Sequence, residues 1–219
     1  MSYPTTCKGI AYWVNAFVPD TKFQAEGVYN IKFRLSGEKA MELQERVDSH
    51  QAAAVSKAKE ENPKKKIKEA SLPYTEVFDE DGQETGELEF SFKQKAVITT
   101  KKGPMDMSVA VFDAKGQPIT KPVSIGNGSE VIVAYEPYLW YVPTMGAGVS
   151  LRFKGLQICK LVAPPSQDGD EAGAYGFKKQ EEGYESKEES SDDHYEDEED
   201  QIPFKDQTQG NDAEEEEDF

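Results

Sequence analysis

The feature that most constrains this chain is a break in charge and hydropathy near Val162. Residues 1–162 carry 21 Lys and Arg against 20 Asp and Glu, together with 69 of the chain's 80 apolar residues. Residues 163–219 carry 4 cations against 22 acids and hold only 11 apolar residues. The first segment can bury a core. The second cannot, because Asp192-Asp193, Glu196 to Asp200 and Glu214 to Asp218 are dense runs of one sign that repel along the chain. The expected organisation is one domain over 1–162 and a disordered acidic tail over 163–219. The net charge of −17 therefore belongs to the tail, and a domain whose own balance is +1 is not barred from a polyanionic ligand.

Within the first segment, Ile10 to Val18 reads as a strand stopped by Pro19-Asp20. Val28 to Leu35 alternates, with Tyr29, Ile31, Phe33 and Leu35 on one face and Asn30, Lys32 and Arg34 on the other. From Gly37 the period becomes helical through Ala40, Leu43, Val47, Ala54 and Ala58, with Ser36 as N-cap and an end before Pro63. Lys64-Lys65-Lys66 then reads as a solvated loop beyond the helix end, where cations suit the helix dipole. Leu88, Phe90 and Phe92 alternate with polar residues in a further strand. Met107 to Phe112, Val131 to Tyr135 and Val149 to Leu161 complete the set, separated by Asp113-Ala114-Lys115-Gly116, Gly126-Asn127-Gly128 and Gly146-Ala147-Gly148. Five or six strands with one inserted helix suit a mainly β fold, an OB-type Greek-key barrel among other barrels and sandwiches.

Enzymatic chemistry finds little footing. His50 lies in the helix and His194 in the tail, with no Cys or His at metal-ligand spacing from either. Asp79-Glu80-Asp81-Gly82 lacks the other ligand positions of a calcium loop and reads as a turn. Neither nucleotide-binding glycine motif is present. No enzyme, cofactor or metal is expected. Cys7 and Cys159 are too few for a disulfide framework, and no apolar run has the length of a leader or a membrane span, so a soluble cytoplasmic protein is expected.

The aromatic residues are more informative. Tyr135-Glu136-Pro137-Tyr138-Leu139-Trp140-Tyr141 places four rings in seven residues around a proline, so they cannot all face one side of a regular strand. Exposed rings beside cations form a stacking platform for unpaired bases. The four rings of this segment are the candidates here, with Trp13 in the first strand as a further one. Lys93 and Lys95 share the face opposite Phe90 and Phe92, and Arg152 and Lys154 the face opposite Leu151 and Phe153. Were both strands in one sheet, its outer face would carry a basic stripe. Lysines on wet strand faces also serve only to discourage edge pairing, so it is the combination that points to nucleic acid. An RNA-binding protein on the same fold, and an acidic chaperone or scaffold for basic partners, are the rival readings. The tail closes with Glu214, Glu215, Glu216, Glu217, Asp218 and Phe219, a ring and carboxylate behind acids that suit docking in a basic groove.

Taken in order, Gly27-Val28-Tyr29, Ser49-His50-Gln51-Ala52-Ala53-Ala54-Val55, Leu72-Pro73-Tyr74, Val111-Phe112-Asp113-Ala114-Lys115-Gly116, Pro137-Tyr138-Leu139-Trp140, Gly146-Ala147-Gly148-Val149-Ser150-Leu151 and a terminal Asp218-Phe219 make a consistent set. With that order and spacing the chain resembles the single-stranded-DNA-binding proteins of podovirus-type phages. The resemblance implies an OB fold, binding of single-stranded DNA with little sequence preference in replication, recombination and repair, assistance to strand annealing, and a homodimer in the free state. It implies a tail that regulates DNA access and contacts the phage DNA polymerase and primase-helicase in the infected bacterial host. It also matches the family's base-stacking rings to Tyr138 and Trp140 and its terminal ring to Phe219. Glu26 stands where better-known members have an arginine near this glycine, so no cation is carried over there.

Overall fold

Alternation of apolar and polar residues sets the strands of this chain, and register between them closes a ring. The computed structural model describes residues 2–101 and 103–163; the acidic segment, with Glu214 to Asp218 and Phe219, lies outside them. Strands β1 (Gly9–Asp20), β2 (Val28–Ser36), β4 (Glu84–Lys95), β8 (Ser129–Val142) and β9 (Gly146–Lys160) pair in the order β1-β2-β4-β9-β8, and β8 returns to β1. All these pairings are antiparallel except β4 with β9, which is parallel and seals the ring. This is the five-stranded OB barrel that the sequence pattern anticipates.

Four shorter strands decorate it. β3 (Tyr74–Phe78) forms a hairpin with β4, and β7 (Ala110–Phe112) adds to β9 in parallel. β5 (Val97–Thr100) and β6 (Gly103–Asp106) form a separate hairpin that the sequence reading did not anticipate. The strand expected from Met107 is correspondingly shorter and starts at Ala110. Both acidic turns behave as turns: the Asp79 carboxylate accepts from the N–H groups of Asp81 and Gln83, and that of Asp113 from Lys115 and Gln117.

The barrel interior holds Phe33, Phe90, Phe92, Tyr135, Leu151 and Phe153, all essentially inaccessible to solvent. Phe92 meets Phe33 edge-on at 6.0 Å between centroids and Tyr135 at 5.4 Å, so the rings contribute directional contacts beyond their buried area. Helix α1 (Gly37–Glu61) buries Ala40, Leu43, Val47, Ala54 and Ala58 as its period demands, and ends ahead of Pro63. Ser36 occupies the N-cap position with extended backbone, although its hydroxyl makes no capping bond.

One polar residue fixes the helix to the barrel. Gln51 is buried on α1, and its amide donates to the carbonyls of Ala70 at 3.0 Å and Ala147 at 3.4 Å while its oxygen accepts from Val149 N–H at 3.1 Å. It thereby ties the helix, the loop after it and the start of β9. Gly146 and Gly148 allow this close approach. A Cβ at Gly146, whose φ is +104°, would run into the Lys68 carbonyl, and one at Gly148 would meet the Trp140 ring at 2.9 Å. Replacing Gln51 with Ala strands the Ala70 carbonyl and the Val149 amide, and should lower stability by about 2–4 kcal/mol in urea unfolding. A loss below about 0.5 kcal/mol would mean that these groups find other partners.

Candidate nucleic-acid interface

The parallel seam of β4 and β9 decides which charges meet. Its register pairs Phe92 with Leu151, which face inward, and Lys93 with Arg152, which face outward. The basic stripe expected from alternation therefore exists on one sheet. Lys93 and Lys95 are exposed and make no ion pair among the described residues. Arg152 lays its guanidinium over the Tyr138 ring at 3.6 Å and approaches Glu136 at 3.9 Å. Lys154 is held more tightly, 13 % exposed and 3.1 Å from Glu136, so it is the least available of the four.

Trp13 is brought by β1 to the groove that these cations line. Between Tyr12 and Asn15, β1 spends three residues against two on β2, and the extra residue is accommodated with Trp13 in left-handed backbone, φ 51°. A bulky side chain rarely adopts that conformation. Its N–H donates to Asn127 Oδ1 at 2.9 Å, which anchors the bulge to the loop before β8. Trp13 as a whole is left 67 % exposed.

These residues surround one open groove of about 780 Å³. Trp13, Tyr138, Lys93, Lys95, Arg152 and Lys154 all line it. Trp140 does not: it lies in an adjoining cleft that shares Lys32, Ser91, Lys93 and Ser150 with the groove, and its indole N–H donates to Ser150 Oγ at 2.9 Å. Phe23 and Lys32 are among the groove residues that escaped the sequence reading. Phe23, 85 % exposed, sits in the β1–β2 loop, where a ring between Pro19-Asp20 and Gly27 has no strand face to enter. Lys32 reaches both openings and pairs with Glu89 at 3.1 Å.

Glu89 also accepts from Arg34 at 2.9 Å, and Arg34 stacks 4.1 Å from the Tyr12 ring. Burial alone would raise the Glu89 carboxyl, but the hydrogen bonds and charges of Arg34 and Lys32 outweigh it and hold the group below its ordinary value. A depressed carboxyl contributes stability that is complete above the unfolded pKa and is lost as pH falls through the folded one. Glu89→Gln should therefore destabilise the domain at pH 7 and by much less at pH 3, as read by urea unfolding. Equal destabilisation at both pH values would show that its charge is immaterial.

Among the described residues no group of His, Cys, Asp and Glu could hold a metal, and no helix is long and apolar enough to cross a membrane. What the geometry offers is a groove lined by exposed rings and by cations, on an OB barrel. That defines the class of oligonucleotide- and oligosaccharide-binding modules. The particular family follows from residues 10–161, which match the family model described as single-stranded DNA-binding protein, bacteriophage T7, and the chain belongs to that family.

Solved structures agree on the fold. The crystal structure of gp2.5, a single-stranded DNA binding protein encoded by bacteriophage T7, is similar with a TM-score of 0.62 at 22% identity, covering 84% of this chain and 98% of that one. The single-stranded DNA-binding protein of bacteriophage Enc34 in complex with ssDNA is similar with a TM-score of 0.53 at 11% identity, covering 74% and 88%. A C-terminal truncation of the Enc34 protein gives 0.51, also at 11% identity, covering 74% and 87%. No curated protein matches the chain.

Proposed function

We propose that this chain coats single-stranded DNA with little sequence preference during phage replication, recombination and repair in the bacterial cytoplasm, and assists strand annealing. The observation that carries the reading is the convergence of Trp13, Tyr138, Lys93, Lys95 and Arg152 on one groove of an OB barrel. Rings supply stacking, worth about 1–3 kcal/mol per base, and every base offers a face to stack. Cations supply a salt-dependent term with a log–log slope of about −0.7 per phosphate neutralised on single strands. The chemistry is binding, not catalysis.

The domain over 1–162 is the binding unit, and the acidic segment over 163–219 is its competitor. In this reading the free protein is a homodimer, and its tail, ending in Glu214, Glu215, Glu216, Glu217, Asp218 and Phe219, occupies a basic groove until DNA displaces it. The freed tail then recruits the phage DNA polymerase and primase-helicase. Two features support the competition: the segregation of 22 acids into the last 57 residues, and Lys93 and Lys95 on the groove wall, which make no ion pair among the described residues. The Enc34 relative, solved with ssDNA, supports the ligand class.

Trp13→Ala combined with Tyr138→Ala should weaken binding to oligo-dT by about tenfold or more while unfolding changes little, because both rings are largely free of the core. In the same titrations, Lys93→Ala should reduce the salt slope by about 0.7. Full affinity in the double variant, or an unaltered slope for Lys93→Ala, would move the site off this groove. Parallel titrations with duplex DNA and with RNA at two salt concentrations separate the single-stranded DNA reading from an RNA-binding one, in which RNA would bind tighter. Deleting residues 193–219 should tighten oligo-dT binding and abolish polymerase contact. Unchanged DNA affinity after that deletion would refute the competition.

A further inference from the structure

Gln94 is the one buried polar side chain among the described residues whose hydrogen bonding is incomplete. It lies on β4 between the exposed Lys93 and Lys95, faces inward and is 5 % exposed. Its amide nitrogen donates to the Lys95 carbonyl at 3.1 Å. That bond fixes the orientation of the amide, because the reversed arrangement would set two oxygens against each other. The Oε1 atom that remains is buried and has no partner. A buried acceptor without a donor is costly, and native proteins keep few of them.

The residue lines the groove together with residues of the β1–β2 loop and of β5. Its neighbours in that lining include Phe23, Val28, Ile31, Ile98 and Met107. The lining mixes these apolar side chains with polar ones such as Asp20, Gln24, Asn30 and Thr99, and Gln94 Oε1 is the one buried acceptor among the described residues left without a donor. A nucleobase has the complementary form, with apolar faces and a polar edge. The oxygen itself is closed to solvent, so an entering ring must displace the side chains that cover it, and the unbranched Met107 is the most adaptable side chain in the groove's lining.

We propose that this slot takes one unpaired base edge-on, with Gln94 Oε1 accepting from an N–H of its Watson–Crick edge. Adenine and cytosine present an exocyclic amine there, guanine a ring N–H and an amine, and thymine its N3–H. A single acceptor is therefore satisfied by any of the four, and adds no sequence preference. In a duplex that N–H is already engaged by the opposite base. Gln94 thus discriminates paired from unpaired DNA through hydrogen bonding, where stacking alone would discriminate only through access.

The inference rests on the single-stranded DNA reading above, and the test separates the two. The full chain is titrated with oligo-dT and with an oligomer of the same length carrying difluorotoluene, a thymine isostere that stacks but has no N–H. The expected result is at least fivefold weaker binding of the isostere, with Gln94→Met binding both oligomers equally. Equal binding of the two by the unaltered chain overturns the slot, and this comparison stands even if Gln94→Met fails to fold. Undiminished discrimination by a folded Gln94→Met overturns it too. Absence of oligo-dT binding by the unaltered chain would instead remove the nucleic-acid reading, and the slot with it.

Discussion

Everything on the groove face follows from the parallel pairing of β4 with β9. A ring of strands needs one seam where sequence-distant segments meet, and here that seam sets Phe92 beside Leu151 inside and Lys93 beside Arg152 outside. The interior pair is stabilised by burial, about 1.5–3 kcal/mol for each such side chain. The exterior pair has the same sign, and like charges side by side on a sheet oppose closure. Core formation therefore forces two cations together. Tyr138 stacking under Arg152, and Glu136 nearby, relieve part of that cost without cancelling it. What remains is an electrostatic demand for an anion at the point where the barrel closes.

A second cost is held in the backbone at Trp13. Left-handed geometry at a bulky residue costs on the order of 1–3 kcal/mol and persists only where the surroundings impose it. Here the imposing contacts are the β1 bulge and the hydrogen bond from the Trp13 backbone N–H to the side-chain oxygen Oδ1 of Asn127. Regular alternation would return the indole to one of the sheet's faces. The bulge turns it outward and so converts a strand residue into part of the lining of the groove that the cations also line.

Much of this was legible in the sequence, because alternation reports faces directly. Lys93, Lys95, Arg152 and Lys154 were assigned to outer faces by their inward neighbours, and α1 by its apolar period, and all lie there. What was not legible is what depends on the partner strand. The bulge in β1 becomes definite only against β2, and Trp140, two residues from Tyr138 and on the same face, is drawn into another cleft by contact with Gly148 and Ser150. Strands of four residues, such as β5 and β6, are too short for alternation to be distinguished from chance. Gln94 sits at an inward position that its polarity disguises, and only its unpartnered oxygen marks it in the structure.

The balance of charges bears on how such a groove would release its ligand. Lys154 is bound to Glu136 and Lys32 to Glu89, which leaves Lys93, Lys95 and, in part, Arg152 to meet phosphates. Three phosphates neutralised correspond to a salt slope of about −2, small for a nucleic-acid site. Most of the affinity in the proposed complex must then come from rings and from the base edge, which act only on unpaired strands. A modest electrostatic share also makes competition feasible. A segment carrying 22 acids on the same chain, at the high effective concentration that tethering gives, can contest three cations, but it has no stack of bases with which to contest the rings. Entry of a base at Trp13 or Tyr138 would therefore decide the exchange in favour of DNA, while the cations set how readily the exchange begins.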